Sequence, residues 1–346
     1  MSKGVMRRAA LLLGGVLAVA MAPGGARAQG NSLVMYCGVN EAWCRAAATA
    51  FQAQTGVRVD MTRQSAGEIF ARLRAERTNP RGDVWYGGTG DPHLQAASDD
   101  LTEPYRSEAL PQLRDWAQQQ AARSQNRTVG IYMGALGFGY NERELKRRNL
   151  PVPACWEDLL KPEYKGEVQM ANPNASGTTW TMLATLVQLM GEDKAFDYLK
   201  RLNVNIDQYT SAGAAPAQAV MRGETLIGIA FQHDLVDAAK QNPAVKVVSP
   251  CEGTGFEIGS MSIIRGARHP EEAKRFYEWA LTPAAQAIAA QHGSYQLPSN
   301  TGTPVPPEAP DISSIKLINY DFEKYGSSAE RTRLLSRWTR EVQNAR

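Results

Sequence analysis

From residue 32 onward the sequence alternates between short β-forming runs and longer runs with the apolar spacing of helices. The first run, 32–37, leads into a helical segment at 41–54 that ends at Gly56, and a second β-forming run follows at 57–62. This alternation is typical of a mostly parallel sheet with helices on its faces. We therefore predict an α/β fold.

The same pattern continues along the rest of the chain. Ser65 and Glu68 form a capping-box pair that opens the next helix, which must stop before Asn79-Pro80. The further predicted strands lie at 83–86, 168–170 and 225–231, and the further helices at 66–77, 178–190, after Gln232, at 269–290 and at 327–344, with an extended connector at 304–310.

Two glycine-rich segments, 130–139 and 255–264, carry apolar residues in an extended rather than a helical pattern. The chain has 346 residues, enough for two domains of about 100 to 200 residues each. Two such crossings between two α/β sets imply two lobes with a cleft between them. The predicted boundaries are 29–130 for the first part of lobe 1, 131–258 for lobe 2, 259–315 for the return to lobe 1 and 316–346 for a C-terminal helical tail.

The N-terminus has the features of an export signal. Positive residues within the first eight precede an apolar run at 9–22 and the small-residue pattern Ala26-Arg27-Ala28, which predicts a cleaved signal peptide at 1–28 and a periplasmic location. Its removal takes four positive residues and no acid, so the formal net charge falls from +3 to −1 and a basic nucleic-acid binder is disfavoured. No later stretch approaches the roughly 18 apolar residues that a membrane span needs.

Four cysteines lie beyond the signal peptide, an even number in a compartment where disulfides persist. Cys37 and Cys44 are close in sequence, whereas Cys155 and Cys251 each follow closely on a proline in a loop. We predict the pairs Cys37–Cys44 and Cys155–Cys251. Zinc is the rival interpretation, but the spacing is not C-x2-C and no histidine is adjacent.

Ligands of open α/β sheets bind beyond the carboxyl ends of the strands, where loops enter helices. The loop at 64–67 offers helix-start amides and the Ser65 hydroxyl to an anion, although Ser65 could simply cap its helix. The loop at 172–179 brings Ser176, Gly177 and Thr178 into a strand-to-helix turn that suits phosphate. Because that loop lacks the lysine of a nucleotide P-loop, a nucleotide is not expected.

A third loop, at 87–91, contains Gly88 and Thr89. It could approach a ligand with its backbone amides, or it could only turn the chain. We include both residues among the candidate ligand contacts.

A second candidate group consists of His233 and Asp234, just after a predicted strand, and Glu257 in the second crossing segment. Carboxylates accept hydrogen bonds from sugar hydroxyls in pairs, and a neutral histidine adds one donor and one acceptor, so this trio suits a polyol. The alternative is structural, with Asp234 as a helix cap and Glu257 in an ion pair between the lobes.

The sequence resembles the type II periplasmic solute-binding proteins of ABC importers, in their ferric-iron-binding-like branch, over nearly the whole mature chain. The most specific segments are YCGVNE at 36–41, DVWYGGTGDP at 83–92, FQHD at 231–234, CEGTGFEIG at 251–259 and YDFEKYG at 320–326. This resemblance implies a two-lobed fold with two interlobe crossing segments, hinge closure on a small solute and delivery to a permease in the inner membrane.

Within that branch the sequence resembles the hexose-phosphate-binding members more than the iron-binding ones. By this resemblance the iron-binding members supply two consecutive tyrosines, whereas this chain has Tyr209 followed by Thr210. The resemblance also implies that Ser65, Ser176, Gly177 and Thr178 hold a phosphate, and that His233, Asp234 and Glu257 hold sugar hydroxyls. We therefore expect a monomeric, non-enzymatic receptor for a hexose phosphate that needs no metal, cofactor or nucleic acid.

Other functions stay open at this point. A receptor of the same fold could instead take a phosphonate, a phosphoglycerate or ferric iron. An exported hydrolase is a different class, since serine, histidine and aspartate are all present, but there is no G-x-S-x-G elbow and adjacent His233-Asp234 predicts no catalytic triad.

Overall fold

The structure is a computed structural model that describes Met1 and residues 31–345, so the predicted signal peptide lies, apart from Met1, outside the described residues. Residues 31–345 belong to one compact unit. Its strands run in the order β2-β1-β3-β9-β4-β7-β5-β6, with β8 and β10 also paired to β4. The strands are β1 (Ser32–Cys37), β2 (Arg58–Arg63), β3 (Val84–Tyr86), β4 (Val129–Asn141), β5 (Val168–Ala171), β6 (Ile206–Thr210), β7 (Ile227–Phe231), β8 (Val245–Val248), β9 (Phe256–Ile263) and β10 (Leu297–Pro298).

Helices connect these strands in the described part of the chain. They are α1 (Glu41–Thr55), α2 (Ala66–Ala75), α3 (Gly90–Ser98), α4 (Asp115–Arg123), α5 (Glu142–Arg147), α6 (Gly177–Met190), α7 (Glu192–Asn205), α8 (Ala215–Arg222), α9 (Gln232–Gln241), α10 (Pro270–Ala280), α11 (Pro283–Gln291), α12 (Phe322–Tyr325) and α13 (Ser328–Glu341).

Strand β4 joins two sheets. Up to Ala135 it pairs antiparallel with β9, and from Leu136 it pairs antiparallel with β7 and β8. We call the sheet of β1, β2, β3, β9, β10 and the first part of β4 the first sheet, and that of the second part of β4 with β5 to β8 the second sheet. Two crossing strands thus connect two α/β sets, and the predicted α/β, two-lobed type II fold is confirmed.

The sheets are less parallel than predicted. Strands β1, β2 and β3 are parallel to one another, and so are β5, β6 and β7, but the crossing strands pair antiparallel with their neighbours. A crossing strand must leave one sheet and enter the other, so it does not follow the right-handed βαβ connection that makes strands parallel. The exact lobe boundaries stay a prediction.

Several elements differ from the sequence prediction. The segment 269–290, predicted as one helix, is two helices, because Pro283 cannot continue the helix of α10 and instead occupies the first turn of α11. Strand β6, which contains Tyr209, has no counterpart among the predicted strands. The predicted capping box of α2 forms, with the Ser65 backbone N–H donating to Glu68 Oε2 at 2.9 Å.

The apolar side chains form a core on each side of the crossing strands. One cluster packs around β1 and β3 and includes Phe51, Tyr86 and Phe276. The largest cluster fills the second sheet's side and includes Trp180 and Trp338. Because Trp338 is fully buried there, the terminal helix α13 packs against the second sheet's core, and burial of each such side chain stabilises the fold by roughly 2–3 kcal/mol.

Both predicted disulfides form, Cys37–Cys44 and Cys155–Cys251. The second closes a loop with a sequence separation of 96, so restriction of the unfolded chain contributes about 4 kcal/mol. In the described residues the one cluster with metal-ligand spacing is this disulfide with Glu252, and disulfide sulfurs are not thiolate ligands. None of the helices in 31–345 combines the length and apolar character of a membrane span.

Candidate functional site

All nine predicted ligand contacts line one cavity at the carboxyl ends of the strands. They come from five places in the fold. Ser65 precedes α2, Gly88 and Thr89 lead into α3, and the others follow β5, follow β7 or lie on the crossing strand β9: Ser176, Gly177, Thr178, His233, Asp234 and Glu257. The loops that the sequence separates by more than 100 residues therefore meet.

Helix starts surround much of the cavity. Helices α1, α2, α3, α6, α8 and α9 begin at residues that line it or stand next to them. The first backbone N–H groups of a helix have no partner within the helix, and the helix dipole adds partial positive charge at that end. Such converging helix starts make this part of the cavity suitable for an anion.

The two sides of the cavity touch at this point. The Ser65 hydroxyl donates to the backbone oxygen of Ser211 at 2.9 Å, which joins the start of α2 to the loop before α8. A Cβ added at Gly67 would lie 2.5 Å from the oxygen of Ala175, and one added at Gly177 would lie 2.6 Å from Thr89. Glycine at 67 and 177 is therefore needed for this close approach.

Buried acidic groups occupy another part of the cavity. Burial raises the pKa of Asp234 to about 7, with the nearby charge of Arg63 acting in the opposite direction. Burial raises the pKa of Glu257 well above its usual value, the charge of Asp234 adds to this effect, and a hydrogen bond with Thr89 partly offsets it. Asp234 therefore changes charge near neutral pH, and the Glu257 carboxyl group holds its proton more strongly than an exposed glutamate does.

His233 lies beside both acids but is not charged. Its Nε2 is 3.6 Å from Asp234 Oδ2 and 3.9 Å from Glu257 Oε1, while burial lowers its pKa to about 3. The ring stacks on Phe231, and its Nδ1 has no hydrogen-bond partner among the described residues. A neutral imidazole with unused hydrogen-bonding capacity suits a hydroxyl-bearing ligand.

Sequence reasoning missed several residues that line the cavity. Arg63 lies at the end of β2, where its Nε donates to the oxygen of Val39 at 3.1 Å. Gly213 lies so close to the loop at 172–179 that an added Cβ would be 2.0 Å from Thr178 Oγ1. Arg63 could have been found, because it directly follows the strand predicted at 57–62 and stands just before the loop of Ser65, whereas nothing in the sequence pattern marks Gly213.

Tyr209, which the resemblance compares with the tyrosines of the iron-binding members, is not among the cavity-lining residues. Its hydroxyl donates to Asn203 Oδ1 at 2.7 Å and its ring packs edge-on against Trp338. Trp43, Trp85 and Trp180 are buried in the core. The cavity of the described structure is thus lined by hydroxyls, amides, acids and the Arg63 side chain, with Tyr132 as its tyrosine.

A serine–histidine–aspartate chain does occur away from the cavity. Ser32 Oγ is 3.3 Å from His269 Nε2, and His269 Nδ1 is 2.9 Å from Asp83 Oδ2. Asp83 also accepts backbone N–H groups of Val34 and His269, so it ties β1 to the start of α10. These three hydrogen-bonded side chains lie at the amino ends of the strands, opposite the cavity.

Comparison with known proteins agrees with this geometry. Residues 86–324 match the family described as bacterial extracellular solute-binding protein. This chain belongs to that family. The family consists of solute-binding proteins rather than enzymes. Because its members are extracellular, membership places the chain outside the cytoplasm. Ferric-ion-binding proteins share the same fold.

Two relatives and one solved structure are the most informative. The structure of AfuA from Actinobacillus pleuropneumoniae, with exogenous fructose-6-phosphate bound, is 44% identical, with a TM-score of 0.88, over 91% of this chain and 99% of that one. An uncharacterized protein of Haemophilus influenzae is 43% identical over 96% of each chain. A putative 2-aminoethylphosphonate-binding periplasmic protein of Salmonella paratyphi A is 28% identical over 73% of each chain.

Proposed function

We propose that this member of the family is the periplasmic receptor of an ABC importer and that its ligand is a small phosphorylated sugar. The observation that carries the proposal is the meeting, in one cavity, of converging helix starts with buried acidic side chains. The first group suits the phosphate and the second suits the hydroxyls of the ring.

The phosphate is bound by groups that the fold has already placed. Ser176, Gly177 and Thr178 begin α6 and present amides and hydroxyls without a charged side chain. These donors replace the hydration of the anion, and because they are fixed before binding little ordering is needed. Closure of the two sides over the ligand then excludes water.

The sugar is selected by side chains. Asp234 and Glu257, when ionised, accept hydroxyl donors, and each charged hydrogen bond is worth about 1.5–3 kcal/mol. His233 adds a neutral donor or acceptor. The bound fructose-6-phosphate of AfuA, a protein similar over nearly the whole of both chains, supports this ligand class.

An aminoalkylphosphonate is the second candidate. The same helix starts would hold its phosphonate, and the acids at Asp234 and Glu257 would pair with its ammonium group. The Salmonella relative described as a putative 2-aminoethylphosphonate-binding protein supports this alternative at lower identity.

A ligand panel tests the proposal. Thermal shift and calorimetric titration are measured with fructose 6-phosphate, glucose 6-phosphate, fructose, 2-aminoethylphosphonate, 3-phosphoglycerate and ferric citrate. We expect a hexose phosphate to raise the melting temperature most. A ligand at 100 times its Kd stabilises the folded protein by about 2.7 kcal/mol, so at equal concentration the ligand with the lowest Kd gives the largest shift. A larger shift with the aminophosphonate would replace the proposal by its alternative, and a coloured ferric complex would overturn both.

A further inference from the structure

A buried arginine of the terminal helix lies behind the loop at 172–179, which we call the phosphate loop. Arg331, on α13, is 4% exposed, and its Nη2 donates to the backbone oxygens of Pro173 at 3.3 Å and Asn174 at 3.2 Å. These carbonyls belong to the turn that leads into Ser176 and α6. Arg331 therefore holds the turn from the side away from its ligand-facing amides.

The same guanidinium reaches the start of α2. A Cβ added at Gly67 would lie 2.9 Å from Arg331 Nη2, and Gly67 follows Ser65 and Ala66, which line the cavity. The guanidinium carbon also lies 5.2 Å from the centre of the Trp180 ring on α6. The Arg331 side chain thus packs against the starts of α2 and α6, which face the proposed anion.

Arg331 is not neutralised by an ion pair among residues 31–345. On the same helix, Arg333 and Arg337 both contact Glu192, whereas Arg331 contacts backbone oxygens and its Nη1 has no hydrogen-bond partner in the described structure. A buried charge without a partner is costly, and a natural protein usually supplies a counter-charge.

Two other charged groups lie in this interior. Asp91 accepts from the Tyr320 hydroxyl at 2.6 Å and acts on Arg331 only through space, and burial raises its pKa to about 6. Arg123 is a second cation near Asp91. Burial lowers the pKa of Arg331 to about 10, so its guanidinium stays positive at neutral pH. The one acid is thus shared between two cations.

We propose that Arg331 is a positioning residue for the phosphate loop and that its charge is balanced by the anionic group of the bound ligand. The inference rests on the proposed function, since it requires that the ligand carry a phosphate or a similar anion. It assigns the C-terminal helix to the binding apparatus, although α13 contributes no residue to the cavity lining.

Three variants of the full mature protein test this inference. Arg331→Met removes the charge at similar length, Arg331→Lys keeps the charge but loses the planar fork, and Arg337→Met applies the first change to an ion-paired arginine of the same helix. Affinities for fructose 6-phosphate, 2-aminoethylphosphonate, inorganic phosphate and fructose are measured by calorimetry, together with melting temperatures without ligand.

We expect Arg331→Met to weaken anion binding by about tenfold to a hundredfold, the effect of a unit charge acting over several ångströms inside a protein. Fructose binding should change little, Arg331→Lys should recover most of the anion affinity, and Arg337→Met should bind like the wild type. A purely structural role would instead weaken all ligands alike and lower the melting temperature of the ligand-free protein.

The outcomes separate the two proposals. The wild type could bind fructose 6-phosphate while Arg331→Met binds it as tightly, or while Arg331→Lys binds it as weakly as Arg331→Met. The proposed role of Arg331 would then be wrong, and the proposed function would stand. If only the phosphonate or inorganic phosphate binds, the sugar is wrong and the arginine is tested with that anion. Binding of fructose alone, or of no anion in the set, would overturn both.

Discussion

The two parts of the cavity offer different chemical groups to a ligand. At the proposed anion end, lined by Ser176, Gly177 and Thr178, the main-chain N–H groups of helix starts are the groups offered to a ligand. At the proposed acidic end, lined by His233, Asp234 and Glu257, the groups offered are buried side chains, and burial shifts the pKa of all three.

Because of this difference, the two ends should respond differently to pH and to single substitutions. Backbone amides do not titrate and are placed by the fold, so the anion end should bind similarly across pH and tolerate few changes of shape. The acidic end depends on protonation and on individual side chains, so single substitutions can change which ligand is chosen. The predictions below test this contrast.

The largest effect is expected for Gly213→Ala at the anion end. The added Cβ would lie 2.0 Å from Thr178 Oγ1 and 3.0 Å from Ser176 Oγ, so it displaces both hydroxyls. Overpacking costs about 1–3 kcal/mol, and we expect phosphate-ligand affinity to fall by up to about a hundredfold in calorimetry.

Gly302→Ala is the matched control, because Gly302 is exposed and its nearest contact to an added Cβ is 3.2 Å away. It should bind ligand like the wild type. Unchanged affinity in Gly213→Ala would show that the Ser176 and Thr178 hydroxyls do not hold the anion.

An effect of similar size is expected at the acidic end. Asp234→Ala removes an acceptor that is charged above about pH 7, and Glu257→Ala removes a buried hydrogen-bonding carboxyl group, so affinity at pH 8 should fall by about 1.5–3 kcal/mol, roughly tenfold to a hundredfold. Asp237→Ala is the control, since Asp237 lies on the same helix but hydrogen-bonds to Gln241 and does not line the cavity. Equal calorimetric affinities for all three variants and the wild type would contradict the assignment.

The ends should also respond differently to pH. Because the pKa of Asp234 is about 7, its carboxylate form increases from pH 6 to pH 8, and hydroxyl donors bind that form. Affinity should rise by about tenfold across this range, the change expected for one ionisation. Asp234→Asn removes this ionisation while the ligand's own phosphate still titrates, so its pH profile should be flatter by that amount.

The same ionisation acts on stability with the opposite sign. Between the usual pKa of an aspartate, near 4, and about 7, the unfolded chain loses the Asp234 proton while the folded chain keeps it, so stability falls as pH rises. His233, whose pKa is lowered to about 3, makes stability rise with pH up to about 6.5. The ligand-free Asp234→Asn protein should therefore be more stable than the wild type at pH 8, as measured by urea unfolding.

Much of this contrast could be predicted from the sequence. Helix starts follow from local signals, such as the Ser65–Glu68 capping box, and the rule that ligands bind beyond strand ends then places 172–179 at the site. His233 and Asp234 directly follow a strand of apolar residues, and so the same rule located them.

What the sequence could not show depends on contacts between distant segments. Gly213 is recognisable as a tight contact only once α6 and α8 are packed together. Arg331 lies more than 150 residues from the carbonyls it binds, and in the sequence it is one of several arginines on an amphipathic helix. Tertiary packing alone distinguishes it from Arg333 and Arg337.

The smallest effect is expected for Ser65→Ala, and it tests how Ser65 acts. Its hydroxyl proton is donated to the Ser211 backbone oxygen, so in this closed arrangement it can only accept further hydrogen bonds, and a phosphate needs donors. We therefore expect Ser65 to hold the two sides together rather than to donate to the ligand. Loss of one neutral hydrogen bond is worth about 0.5–1.5 kcal/mol, so affinity should fall about two- to tenfold.

The ligand dependence of this loss decides between the two roles. A weaker closed state affects every ligand by the same factor, whereas loss of a phosphate contact affects only phosphorylated ones. Ser211→Ala is the matched control, because the acceptor is the backbone oxygen of Ser211, which that substitution keeps. If Ser65→Ala weakened fructose 6-phosphate but left fructose and closure unchanged, Ser65 would belong to the anion end as a direct contact.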